Sequence, residues 1–256
     1  MPDFVALGQA YAALPAHLAV LWGLGFFAGL YGVLCGGTWL LTRYLLPALG
    51  IGHRIDATPL RPGQLRHEIA GSAVSILIFG IGSVIPWWFL QAGWARLASD
   101  PGPLRVLLEA AALLVWNDVH FYLNHRLLHT RPLRRYHQQH HRSRVPTPFA
   151  TYSFHPLEAV LLGNVILLPM LVHDFSFAAL LSLPVLSLLL NNLGHSNYDF
   201  RPAAGHDSWL AASRRHHLHH TRYHGNYGFL LNFMDRWCGT RLPDDAGPAC
   251  MPHEGA

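Results

Sequence analysis

Histidine is the residue type most able to do chemistry in this sequence, and its spacing is not random. Asn117 to His141 reads NDVHFYLNHRLLHTRPLRRYHQQHH, and a second cluster, HHLHH, covers His216 to His220. Residues three or four apart share one face of a helix. His125 and His129 therefore project together, as do His137, His140 and His141, and again His216, His219 and His220. Each box is expected to aim at one point. Neutral imidazole is the commonest protein metal ligand and suits iron, copper, zinc and nickel. Eight imidazoles exceed what one ion takes, so the boxes predict two ions. Asp118 lies seven residues before His125, within about 20° on the helical wheel. It is expected on the ligand face, accepting the N–H of a metal-bound imidazole or ligating directly. Tyr122 shares the face of His125, whereas His120 points roughly the other way.

The elements that must position these groups are apolar. The chain has 256 residues, 51% of them hydrophobic and 12% charged, about half the charged share of a soluble domain. All 18 basic side chains are arginine. They flank apolar segments and form no continuous basic run, so a nucleic-acid role is not expected. Charge-free runs predict spans over about 16–46, 69–90 and 104–129, then a hairpin of two runs, 157–172 and 175–193. The first box is expected to end the third span. Trp87 and Trp88 suit a membrane interface, and Gly25 and Gly29 suit close helix contact. The N-terminus lacks a basic region, so its apolar run is expected as a span and not as a cleaved signal. Cys35, Cys238 and Cys250 form neither a disulfide framework nor a CxxC site.

Two apolar runs separate the second box from the third, so all boxes fall on one side of the membrane. Arginines concentrate there, at Arg43 to Arg66 and Arg126 to Arg144, against Arg96 and Arg105 opposite. The positive-inside tendency makes the histidine side cytoplasmic. The absence of lysine suggests a GC-rich bacterial genome, hence an inner membrane. The fold class expected is all-α and integral to the membrane, with about four spans or hairpins under a cytoplasmic helical cap. One domain, 1–256, is expected, with its motif-bearing core at 104–241.

Structural zinc sites usually contain cysteine, HExxH is absent, and no GxSxG occurs. Many neutral nitrogen donors beside lipid suit O₂ activation by iron. The order of motifs carries a resemblance. His125-Arg126…His129, His137…His140-His141, Pro146 to Ala150, Phe154-His155-Pro156…Glu158, His216…His219-His220, Asn226-Tyr227-Gly228, Asp235 and Gly239-Thr240 resemble the fatty acid hydroxylase/sterol desaturase superfamily of membrane histidine-box di-iron enzymes. PTPFA with FHP is most similar to its C-5 sterol desaturase branch and to bacterial members of that kind.

The resemblance implies a helical membrane base, a dome holding two Fe ions, and an O₂-dependent hydroxylation or desaturation of a lipid. Zn is a possible occupant of purified protein. No HPGG haem motif occurs, so electrons are expected from a separate reductase or small carrier. The fatty-acid 2-hydroxylase branch has an extra HxxxH pair; here His195 matches its first member, but position 199 is Asp199. His195 is thus a ninth metal-ligand candidate. His155 is expected to cap a helix, His217 to lie on the wrong face, and His224 to lie close to the cluster. A carotenoid-type hydroxylase shares this chemistry. A non-redox metal carrier would hold its ligands at mid-membrane, whereas these lie at the ends of spans.

Overall fold

The computed structural model describes residues 3–243, so Cys250 lies outside it. Four helices are long and apolar enough to cross a membrane, and the protein is an integral membrane protein. Helix α1 (Phe4–Ala12) leads into α2 (Ala16–Ala48), α3 (Gln64–Gln91, turning at Ser83) and α4 (Pro103–Leu128). The second-box helix α5 is Arg134–His141. Helices α6 (Pro156–Val172) and α7 (Phe177–His195) form the expected hairpin. The third box lies on α8 (Ala212–Arg222), followed by the short α9 (Phe233–Trp237).

Local signals set the boundaries. Pro103 and Pro156 open α4 and α6 at the first turn, where a missing N–H costs nothing. His155 caps α6 as expected, its Nδ1 accepting from Leu157 N at 3.2 Å. Ser176 caps α7 through its hydroxyl, while Glu109 on α4 accepts the Ser176 amide at 2.7 Å. His173 also reaches Glu109, at 3.0 Å, near the start of α4. Helix α6 therefore runs along α4 from the histidine side to the opposite end of the helical base, although it is shorter than the four helices long enough to cross a membrane. It is broken midway by a 3-10 turn at Asn164–Ile166.

The spans bury little of themselves within the protein, only 22% of the most apolar window for α2 and α3, so most of their apolar surface faces outward. The close crossing of α2 and α3 uses Gly23 and Gly80, not the expected Gly25 and Gly29. A Cβ on Gly23 would stand 2.9 Å from Gly80 O, whereas Gly25 and Gly29 face open space. A two-residue antiparallel pair, β1 (His53–Arg54) with β2 (Tyr198–Asp199), ties the loop after α2 to the chain leaving α7. It closes one flank of the histidine-bearing cap.

Candidate metal centre

The last turn of α4 carries His125, with His129 capping its end; α5, α7 and α8 deliver the others. Nine histidines converge in two groups: His125, His129, His137, His141 and His219 in one, and His140, His195, His216 and His220 in the other. Within each group the ligand atoms lie within 4.8 Å of one another. These are the eight box residues and His195. Histidines 120, 155, 217 and 224 belong to neither group.

The boxes do not each aim at one point. In both HxxHH boxes the first and last histidines serve one group and the middle one serves the other. The first and last are four residues apart, about 40° on the wheel, while the middle one lies about 60° to the other side. Each box helix thus straddles the two groups, and α5 and α8 interleave between them.

The ring nitrogens show what the groups can hold. His125 Nδ1–H donates to Tyr227 O at 2.8 Å, His219 Nδ1–H to Gly225 O at 2.8 Å, and His195 Nδ1–H to Asn191 O at 2.9 Å. His137 Nδ1 meets the Glu158 carboxylate at 2.8 Å. With Nδ1 carrying the proton, each Nε2 presents a bare lone pair. Yet His125 Nε2 faces His137 Nε2 at 3.1 Å, and His195 Nε2 faces His140 Nε2 at 3.0 Å. His129 Nε2 is buried with no hydrogen-bond partner among the described residues.

Protons do not resolve this crowding. Burial, reinforced by neighbouring imidazoles, pushes the pKa values of His137, His140, His141, His216, His219 and His220 well below the usual histidine range. Neutral rings with converging lone pairs are what a cation requires. Adjacent Nε2 atoms stand 2.9–3.1 Å apart. At a metal–nitrogen distance of roughly 2.1 Å, ligands 90° apart stand about 3.0 Å from each other, and tetrahedral ligands about 3.4 Å. The residues fit two ions, each approached by at least four neutral imidazoles.

Asp118 does not meet an imidazole. It is 2% exposed, and its carboxylate accepts the amides of Leu230 at 2.8 Å and Leu231 at 3.1 Å. It therefore pins the segment that follows the carbonyls of Gly225 and Tyr227. Asp235 grips the same segment, accepting from Tyr227 N at 2.8 Å, Gly228 N at 2.6 Å and Thr240 Oγ1 at 2.7 Å. Asn226, at φ 50°, orders the turn by accepting from Leu242 N at 2.9 Å. The NYG…D…GT motif is thus a scaffold that aims two carbonyls at two rings of the histidine cluster. Tyr122 bonds Thr240 at 3.0 Å and belongs to the same scaffold.

The carboxylate that touches a ligand ring is Glu158, which sequence reasoning quoted only as part of a motif. A carboxylate on Nδ1 fixes the tautomer and raises the basicity of a metal-bound imidazole. The signal available was the Glu itself, one turn into a helix opened by Pro156 beside the second box.

An apolar cavity of about 500 Å³ lies below the cluster. Phe121 and Phe154 form part of its wall, and their rings lie 5.0 and 5.1 Å from those of His125 and His140. One residue of each histidine group thus packs behind an aromatic ring of the cavity's upper wall, while none of the nine histidines lines the cavity itself.

Comparison with known proteins places these features together. A Delta(7)-sterol 5(6)-desaturase of Gibberella zeae is 29% identical over 188 residues, covering 71% of this chain and 52% of that protein. Lathosterol oxidase of Homo sapiens is 28% identical over 187 residues, covering 69% and 61%. A Delta(7)-sterol 5(6)-desaturase of Aspergillus fumigatus is 29% identical over 192 residues, covering 70% and 55%. The chain spans between half and two thirds of the length of these relatives. No solved structure matches it. The family described as fatty acid hydroxylase matches residues 110–240, more than half of the chain and all nine converging histidines, and the chain belongs to that family.

Proposed function

We propose that this chain is an O₂-dependent oxidoreductase that hydroxylates or desaturates a lipid at an unactivated C–H bond. The observation that carries the reading is the position of two buried groups of neutral histidines at the head of an apolar cavity. In it, 1–256 acts as one membrane-embedded domain around the core 104–241. The resident metals are two irons, with zinc as a substitute in purified protein because zinc binds nitrogen sites more tightly than Fe²⁺. A histidine-bound iron pair supplied with two electrons provides O₂ activation and C–H cleavage. The sterol names of the relatives point to a sterol or related lipid.

The chain's own residues do the positioning. His125, His129, His137, His141 and His219 hold one ion, and His140, His195, His216 and His220 the other. Glu158 and the carbonyls of Asn191, Gly225 and Tyr227 fix ring orientation through Nδ1. Asp118 acts one step further out as a positioning residue. Phe121 and Phe154 bring the substrate chain against the cluster and keep water from it.

Electrons come in this reading from a separate reductase or small carrier. Arg131, Arg134, Arg135, Arg142 and Arg144 are exposed around α5 and attract an acidic partner by steering. The arginine asymmetry supports a cytoplasmic metal side in a bacterial inner membrane.

Lipid extracts of cells with and without the gene test the function. One lipid class should gain an oxygen atom or lose two hydrogens, and only when O₂ and the box histidines are present. An unchanged lipid profile, from cells holding metal-loaded protein, would refute it.

A further inference from the structure

The cavity runs the length of the membrane base. At its lower end lie Tyr11, Trp22 and Phe177, and at its upper end Phe121, Phe154 and Asn191. Phe177 and Asn191 are fourteen residues apart on α7, about 21 Å along the axis. The shape suits one elongated molecule. No residue lining the cavity is an arginine or a carboxylate. A carboxylate or phosphate drawn inside would lose its water without gaining a charged partner, at a cost of several kcal/mol or roughly more. Whatever polar group enters is neutral.

Two lining side chains, His120 and Asn164, are already paired within this apolar wall. His120 Nε2 lies 2.8 Å from Asn164 Oδ1. One turn away, Asn124 Nδ2 donates to the backbone carbonyl of His120 at 2.9 Å and also lies 3.1 Å from the ring nitrogen Nε2, so the ring's Nε2 edge is occupied from both sides. No partner for His120 Nδ1 or Asn164 Nδ2 occurs among the described residues. If Nε2 carries the proton, the pair is left with an acceptor on the ring and donors on the amide. If the amide is turned and the other tautomer holds, it is left with a donor on the ring and an acceptor on the amide. Either way one donor and one acceptor remain, which is the complement of a hydroxyl.

The backbone supplies an independent observation. Helix α6 breaks at Asn164–Ile166, and Trp116 Nε1 donates to Val165 O at 2.7 Å, satisfying a carbonyl at the break. The break is thus a held feature of the wall between α4 and α6. It exposes the Asn164 amide among bilayer-facing Val160 and Leu168. An amide with unmet hydrogen bonds is costly in hydrocarbon, and a ligand oxygen relieves that cost.

We propose that His120 and Asn164 bind the hydroxyl of a neutral lipid lying in this cavity, and so set which carbon reaches the metal centre. The proposal rests on the lipid-oxidising reading above and names the substrate class as an elongated hydrocarbon bearing a neutral oxygen. His120 lies five residues before His125, about 7.5 Å along α4. A hydroxyl held there confines oxidation to carbons a few bonds from it, with the rest of the molecule running down toward Trp22.

Binding of cholestanol, cholestane and palmitate to the full-length protein in detergent tests this. The first two differ only in the hydroxyl, and the third carries a carboxylate. Wild type should bind cholestanol up to about tenfold more tightly than cholestane, as one added hydrogen bond allows, and palmitate least tightly. His120→Leu and Asn164→Leu should bring the cholestanol-to-cholestane ratio to near one with metal content unchanged, and His120→Gln should restore part of it. Equal wild-type binding of the two steroids, tighter binding of palmitate, or an unchanged ratio in metal-replete leucine variants would overturn the proposal. The ratio needs neither metal nor turnover, so a failure of the oxidase reading is scored separately, by metal content and product.

Discussion

Glu158 offers the sharpest perturbation of the cluster. Its carboxylate is 1% exposed and lies 2.8 Å from His137 Nδ1. Glu158→Ala leaves the N–H of a buried ring without an acceptor, a cost of about 1–3 kcal/mol. With about 1.4 kcal/mol to each factor of ten, that is roughly 5- to 150-fold in metal affinity, bracketing the 10- to 100-fold typical of such supporting groups. Glu158→Gln keeps a carbonyl for the same N–H and removes only charge assistance, about 1 kcal/mol or roughly fivefold. His137 belongs to the five-histidine group alone, so only one of the two ions should weaken. Chelator competition on the cobalt(II)-substituted protein, followed by absorption, resolves release of each ion. The alanine variant should shift one step, the glutamine variant should shift the same step less, and the other step should stay in place. Equal shifts of both steps, or none in the alanine variant, would refute the reasoning.

Asp118→Asn should loosen the Leu230–Leu231 turn and lower metal content together with thermal stability, because its partners are backbone amides; full metal with full turnover would remove Asp118 from the site's support. Reversing charge at Arg134 and Arg135 should slow turnover with a protein donor and spare turnover with a chemical reductant, and equal loss with both would exclude a docking role. Metal-free protein should lose stability as pH falls below about 6.5, since six cap histidines have pKa values held well below that by burial. The unfolded chain binds the extra protons there, so that stability is fully present above the window and declines below it; a melting temperature flat from neutral to mildly acid pH would contradict this. Gly80→Leu should reduce the folded yield, because a Cβ there already stands 2.9 Å from Leu24 Cα.

The histidines that converge and the spans were legible because both rest on helical period and hydropathy, which are local. The division of each box between two ions was not. A wheel gives directions about one axis and says nothing of where the facing helix places its own rings. Asp118 shows the same limit. Its face was read correctly, but its partners come from a turn more than a hundred residues along the chain. Glu158 was visible as a residue, yet only folding shows that the capped start of α6 carries it to His137. At the α2–α3 crossing, glycine composition announced a contact, but the register that selects Gly23 and Gly80 depends on the partner helix.

The central claim is that two ions sit in two distinct histidine groups. Metal analysis of protein purified from iron-replete cells without chelator tests it most directly. The account predicts about two transition-metal ions per chain, falling toward one when His195 is replaced by alanine. A wild-type content near one or near zero, or a content that survives replacement of the box histidines, would contradict it.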